Sequence, residues 1–304
     1  MFKRKIYAFA QEYFYAPNLR QKCLAIALLP LSALYCAGVI LKAKFSKTLD
    51  FGIPIISIGN LTLGGSGKTP LGIAILNEFE GGFVILRGYG RASSGLVKVA
   101  VSGEILVGVM ASGDEAMEYA KSVKNANVIV SENRDIAIKE ALNLGAKYVL
   151  LDDGFGKFHI KKFNVLIHPS VKPYFDFVLP SGAYRYPSKF YAKADYVVKE
   201  GEDFTRTSEI LNPTPKMVLV TAIANPQRLE PYFSLCTGRE IYPDHYAFSR
   251  GELASILERY GATSLLVTRK DAVKMEEFGL PLSVIALKTT LADKFKRIIK
   301  EKIL

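Results

Sequence analysis

The sequence predicts an α/β protein: a larger unit with a mostly parallel sheet and helices on both faces, a smaller C-terminal α/β domain, and an apolar, membrane-associating N-terminal segment. Three observations predict it. Short β-branched runs alternate with helical periodicities along most of the chain, the pattern of parallel strands joined by crossover helices. A polar stretch with two prolines at 201–215 interrupts the alternation, and strand-like runs resume after it. Residues 23–41 carry no charge, while Arg20, Lys22, Lys42, Lys44 and Lys47 flank them.

The first segment is 1–48. A spanning helix needs about 20 apolar residues, so 23–41 is borderline in length, and Pro30, Ser32 and Tyr35 weaken it. A cleavable signal peptide fits poorly, because the leader before the apolar run is long and Lys-Ala-Lys-Phe follows it. Positive charge on both flanks sets no orientation. The run therefore reads as a helix or broken helix dipping into the inner leaflet, its flanks held by anionic headgroups. The alternative is a buried helix of the first domain's core.

The main domain is 49–200. Its run 53–58 has the length and β-branching of a buried strand and empties into Asn60-Leu-Thr-Leu-Gly-Gly-Ser-Gly-Lys-Thr-Pro70. Strand, glycine-rich loop and helix in that order make an anion cradle, the mark of a phosphate-loop (P-loop) core. Gly64, Gly65 and Gly67 let N–H groups turn inward, Lys68 reaches β/γ-phosphates, and the Thr69 hydroxyl can ligate the accompanying Mg²⁺. Pro70 falls in the first helical turn, where a missing N–H costs nothing. Thr62 stands where the strict pattern has glycine, so the loop is a variant; the plain alternative is a glycine turn with a chance Lys-Thr.

Further strands are expected at 83–86, 127–130, 147–151, 163–167 and 195–198, with 97–101 and 105–107 as an inserted hairpin. Ser112 and Glu115 have capping-box spacing before a helix at 116–123, and 134–144 is a second helix closed by Gly145. Residues 201–215 read as the linker and 216–304 as the smaller domain. It has strands at 217–222, 264–267 and 282–286, a Ser249-capped helix at 250–260, and a last helix at 291–303.

Candidate chemistry gathers at strand ends. The strand at 149–151 ends in Asp152 and Asp153, the arrangement by which phosphate-loop proteins hold Mg²⁺ from the strand beside the loop; the alternative is a solvated Asp-Asp-Gly turn. Arg87-Gly-Tyr-Gly-Arg91 follows a strand too, at the sheet edge where ligands bind in open α/β folds. Asp114 opens a helix, where an acid is favoured by the macrodipole whatever else it does. Of the three histidines, His159 and His168 read as ordinary hydrogen-bonded residues, and His245 sits on a loop able to face the cleft. Thr268-Arg-Lys-Asp271 resembles the guanine signal of switch proteins, with Arg269 in place of the usual Lys. A membrane-attached P-loop GTPase or ATPase switch is therefore the alternative function.

The 304-residue chain carries a net charge of +11, which points to nucleotide, phosphorylated substrate or an anionic membrane surface as partner. Nucleic acid is not expected, because no basic helix, zinc pattern or aromatic-basic motif is present. Cys23, Cys36 and Cys236 have neither metal-type spacing nor a disulfide framework. No obligate protein partner is evident.

In order, Ser57–Pro70, Arg87–Arg91, Gly113-Asp-Glu115, Arg134, Asp152-Asp-Gly-Phe155, Leu179-Pro-Ser-Gly-Ala-Tyr-Arg185, Asp244-His245 and Thr268–Asp271 resemble the tetraacyldisaccharide 4'-kinase (lipid A 4'-kinase) family. The resemblance implies ATP-dependent phosphorylation of the 4'-hydroxyl of a tetraacylated glucosamine disaccharide 1-phosphate, on the cytoplasmic face of a Gram-negative inner membrane. It implies Lys68, Arg185, Asp114 and His245 as catalytic residues, the last two as a base and its partner that meet when the domains close on substrate. It also implies that Thr62, Leu63, Gly64, Gly65, Ser66, Gly67, Lys68, Thr69, Tyr89 and Arg134 bind ATP, and that Thr69, Asp152 and Asp153 bind Mg²⁺. The chain departs from the family at Gly156-Lys157, where Gln-His is usual, and at Tyr186, where Glu is usual.

Overall fold

The computed structural model describes residues 2–64, 66–223 and 225–304, with side chains from residue 9. Three helices come first: α1 (Phe2–Tyr15), α2 (Leu19–Ala27) and α3 (Leu29–Phe45). The main unit follows as β1 (Ile55–Gly59), α4 (Lys68–Glu78), β2 (Gly82–Leu86), β3 (Val97–Val101), β4 (Glu104–Ile105), α5 (Val109–Ser112), α6 (Asp114–Ser122), β5 (Val128–Val130), α7 (Arg134–Asn143), β6 (Tyr148–Asp152), β7 (Phe163–Ile167) and β8 (Tyr196–Val198). Its eight-stranded sheet has the order β4-β3-β5-β2-β6-β1-β7-β8, parallel except where the β3–β4 hairpin closes one edge. Strands buried on both faces need continuous apolar runs, and alternate residues sort to opposite cores. Ile56, Ile58, Val84 and Leu150 meet α4 and α6 on one face, whereas Ile55, Phe83, Ile85 and Val149 meet α7 on the other.

The second sheet, β11-β10-β12-β13-β9, is built from β9 (Phe204–Leu211), β10 (Met217–Thr221), β11 (Cys236–Ile241), β12 (Ser264–Thr268) and β13 (Leu282–Leu291). Helices α8 (Arg250–Tyr260) and α9 (Arg269–Met275) cover one face. The stretch expected as a linker, 201–215, contains β9, which runs antiparallel to β13 over eight paired residues, Phe204↔Leu291 to Leu211↔Val284. Its polar side chains masked it as an edge strand, where one face meets solvent.

The final helix, α10 (Asp293–Ile303), does not belong with the second sheet, as the 216–304 domain assumed. Phe295 and Ile299, four residues apart on one face, are buried in the first unit's core, and Phe295 stacks on Tyr196 at 5.6 Å. The Ser112 capping box also fails. Ser112 ends α5 and its hydroxyl donates to the Gly108 carbonyl at 3.2 Å, so α6 starts from Gly113 (φ +83°) without a side-chain cap.

The apolar N-terminus is neither free nor buried. Among the described residues no single helix is long and apolar enough to cross a membrane, and α2 and α3 form a pair bent by 53°. The polar residues that interrupt the run face the protein: Ser32 Oγ donates to the Val178 carbonyl at 3.0 Å, and Tyr35 Oη donates to the Arg185 carbonyl at 3.0 Å. Val39 and Ile40 pack against Leu61 and Phe155, while Leu31, Leu34, Leu41 and Phe45 stay exposed.

Candidate active site

A cleft of about 1430 Å³ lies between the two sheets, lined by the carboxyl ends of β2 and β6 and by the loop that follows β1. β1 passes into the glycine-rich loop and then α4, whose N-cap Gly67 takes the left-handed conformation (φ +78°, ψ +34°). Glycine is favoured there by the left-handed backbone. A Cβ on Gly67 would sit 2.3 Å from Nη2 of Arg206. Ser66, Gly67, Lys68 and Thr69 all line the cleft. Thr62 makes a bridge to Tyr184, and the Leu63 N–H donates to the Ala183 carbonyl, so both hold the loop rather than face the cleft. Gly64 is left-handed (φ +100°), and Gly65 lies outside the described residues.

Strand β6 pairs directly with β1, with Ile58 opposite Asp152, and this delivers the carboxylates to the loop. Asp152 is 4% exposed and accepts hydrogen bonds from Tyr119 Oη (3.0 Å) and Thr69 Oγ1 (3.4 Å). Burial pushes its carboxyl up to about 6, with the Glu115 carboxylate adding to the effect. Asp153, at φ +53°, has both oxygens 2.9 Å from Arg185, and Lys68 Nζ lies 3.7 Å away. Burial works against its charge, but Lys68 and Arg185 outweigh it and hold the carboxyl far below the usual range.

Asn60 ties this corner together and escaped the sequence reading as a functional side chain. Its Oδ1 accepts from Lys68 Nζ (3.1 Å) and Arg185 Nη2 (2.6 Å), while its Nδ2 donates to the Thr62 carbonyl (2.8 Å). Tyr119 escaped too, although its place five residues after Asp114 puts one helix against both ends of the site. Arg134 is buried behind Asp152, with Nη1 on the Ser131 carbonyl at 2.5 Å and Nη2 on that of Asp152 at 3.4 Å. Burial lowers its guanidinium to about 10 despite Asp152 and Asp153.

At the far end of the cleft, His245 Nδ1 lies 3.0 Å from both oxygens of Asp114. The two side chains, expected to meet across the domains, are paired in the structure. His245 adopts φ +61° in the Pro-bounded loop and sits under the exposed ring of Tyr89, centroids 5.3 Å apart. Lys270 crosses the same gap, 3.0 Å from Asp244, 3.8 Å from Asp114 and 3.9 Å from Glu115. Burial opposes a charged Asp114, but the His245 hydrogen bond and Lys270 outweigh it and lower its carboxyl. Burial likewise opposes a charged imidazole, and the Asp114 hydrogen bond reverses this, raising His245 above its ordinary value.

The other two histidines stay outside the cleft, His159 on Asp135 at 2.9 Å and His168 donating from Nδ1 to the Pro169 carbonyl. Asp271 is fully buried. It accepts from Thr221 Oγ1, the Ala222 N–H and Thr268 Oγ1 and pairs with Lys274, so it fastens β10 to α9 and offers nothing to a guanine base. The two departures at Gly156 and Tyr186 belong together, because a Cβ on Gly156 would lie 2.1 Å from Tyr186 Oη. The Tyr186 ring fills that space, edge-on to Phe155 at 5.1 Å.

The family profile described as LpxK, tetraacyldisaccharide-1-P 4'-kinase, matches residues 24–304. A tetraacyldisaccharide 4'-kinase of Campylobacter jejuni is 49% identical over 294 residues, covering 95% of each chain. One of Helicobacter pylori is 48% identical over 287 residues, covering 94% of this chain and 92% of its own. The crystal structure of LpxK from Aquifex aeolicus in complex with ATP superposes with a TM-score of 0.76 at 26% identity, over 92% of this chain and all of that one. A chain matched over nearly its whole length by profile, relatives and structure alike belongs to the tetraacyldisaccharide-1-P 4'-kinase (LpxK) family.

Proposed function

We propose that the chain transfers the γ-phosphoryl group of ATP to the 4'-hydroxyl of a tetraacylated glucosamine disaccharide 1-phosphate in lipid A biosynthesis. Family membership carries the reaction. The convergence of the loop, the β6 carboxylates and the Asp114–His245 pair on one cleft supports its location. Lys68 would leave Asn60 and Asp153 for the β/γ-phosphates, and Arg185, which shares the Asn60 oxygen with it, would steady Asp153 and the developing charge. The sugar oxygen attacks phosphorus as the bond to the β–γ bridging oxygen breaks, ADP leaves, and the hydroxyl proton passes to the Asp114–His245 pair.

Mg²⁺ suits the donors present. Asp152 and Thr69 offer hard oxygens 3.4 Å apart, and a buried carboxyl pushed up to about 6 is one that a cation would restore to its charged form. Asp153 is already committed to Arg185 and Lys68, so its part would be to hold these two. Phosphate and water oxygens would complete the shell of such an ion. When bound, Mg²⁺ would neutralise charge on the transferring phosphoryl oxygens.

The test is ATP turnover with and without the lipid disaccharide. Turnover that depends on the lipid supports the kinase, whereas GTP selectivity or lipid-independent hydrolysis supports a switch protein.

The exposed stripe Leu31, Leu34, Leu41 and Phe45, flanked by Lys42, Lys44 and Lys47, suits attachment to the anionic cytoplasmic face of the inner membrane. Leu34 is 74% and Phe45 70% exposed, so Leu34→Glu with Phe45→Glu should spare the fold. In cell fractionation the double variant should move from the membrane pellet to the soluble fraction. A parent enzyme already soluble and monodisperse without detergent would contradict the attachment.

A further inference from the structure

The strand that the sequence disguised as a linker carries Arg206. Period-two alternation along β9 puts Phe204, Arg206 and Ser208 on one face; Phe204 enters the first unit's core, while Arg206 and Ser208 line the cleft. The Arg206 side chain is only 10% exposed and lies over the Phe204 ring at 4.8 Å. It reaches the loop of the other unit, where Nη2 donates to the Ser66 carbonyl at 3.2 Å and the guanidinium lies directly against Gly67.

This guanidinium is under-compensated. Among the described residues its one acid is Glu200, 3.3 Å away and itself 40% exposed, and its Nε–H is buried without an acceptor. Burial outweighs Glu200, and Arg228 repels it further, so its charge is disfavoured where it stands. A buried arginine with spare donors, packed on the turn that opens α4 and facing the cleft beside Lys68, is matched by an anion of several oxygens.

We propose that Arg206 is a further phosphate ligand, contributed by the second sheet to the nucleotide held on the first. Because Arg206 is paired with Thr289 in the β9–β13 ladder, nucleotide phosphate would draw that whole sheet onto the loop. The proposal rests on the phosphate-binding reading of the loop.

The experiment measures affinity for ATP, ADP and adenosine by displacement of a fluorescent adenine nucleotide, with no acceptor present. Arg206→Ala should weaken ATP and ADP by about ten- to hundredfold, the usual worth of a charge-assisted hydrogen bond, and leave adenosine unchanged. Arg206→Lys should recover part of the loss. ATP binding that is unchanged or tighter in Arg206→Ala, or an equal loss for adenosine, overturns the proposal. If the alanine variant unfolds, Arg206→Gln decides by the same comparison. Lys68→Ala separates the two readings: if it loses ATP affinity while the Arg206 variants do not, only this inference falls; if neither loses it, the loop reading falls as well.

Discussion

Lys68→Ala is expected to abolish measurable product formation while leaving the fold intact. The side chain is partly exposed, at 18%, and belongs to none of the apolar cores, so its loss removes charge from the cleft without opening a cavity. Its Nζ is already gathered into the corner formed by Asn60 and Asp153, about one side-chain swing from the space over the loop. Removing a single preorganised donor to a developing oxyanion typically costs about 10²- to 10³-fold in kcat, and a phosphoryl group whose charge spreads over three oxygens depends on several such donors. The measurement is steady-state transfer from ATP to the lipid disaccharide, with circular dichroism as the control for folding. A variant within tenfold of the parent would remove the basis for placing ATP on this loop.

Replacing either member of the Asp114–His245 pair should be nearly as damaging. A sugar hydroxyl is a poor nucleophile unless its proton is taken as the new bond forms, which is worth about 10²- to 10⁴-fold. Asp114→Asn and His245→Ala should each lower kcat by that order with little change in ATP affinity. The double variant should be hardly worse than the poorer single one, since residues acting as a unit are non-additive. Additive losses, or an unchanged kcat in His245→Ala, would return Asp114 to the role of a helix-start acid.

The pH dependence follows with a definite sign. Asp114, lowered, stays ionised through the neutral range, and the imidazole must be neutral to receive a proton. kcat should therefore rise with pH through a value above that of an ordinary histidine, and His245→Ala should lose that limb. Stability runs the other way for the histidine. A raised imidazole pKa contributes fully below its unfolded value and is lost as pH rises through the folded one; the lowered Asp114 contributes above its unfolded value and is lost as pH falls through the folded one. The contact between the units is thus firmest between the unfolded value of the carboxyl and that of the imidazole, below the pH at which the pair is best prepared to accept a proton.

Much of the site was legible because its signals are local. The order of strand, glycine-rich loop and Lys68-Thr69 is written in consecutive residues, and so is the strand that ends in Asp152-Asp153. Asn60 and Tyr119 were not legible as partners, since a lone Asn after a strand and a Tyr on a helix carry no spacing that names what they touch. Lys270 was concealed by its motif. Thr268-Arg-Lys-Asp271 reads as a guanine signal, yet Asp271 is consumed in fastening β10 to α9 and the neighbouring lysine faces the acids of the other unit.

The sequence by itself determined the α/β class, the apolar runs that build the first sheet, the glycine loop with its lysine, and the apolar N-terminus, because each depends on periodicity or on chemistry within a few residues. Only the tertiary structure decided what depends on contacts far apart in the chain. It turned the polar linker into an edge strand, since one face of such a strand meets solvent and carries no hydrophobic pattern. It returned α10 to the first core, since Phe295 and Ile299 specify an apolar face but not the surface that face will cover. It also gave the geometry of the Asp114–His245 pair, which the family resemblance implied but which no local pattern encodes, because it is made across 131 positions of sequence where the two sheets meet.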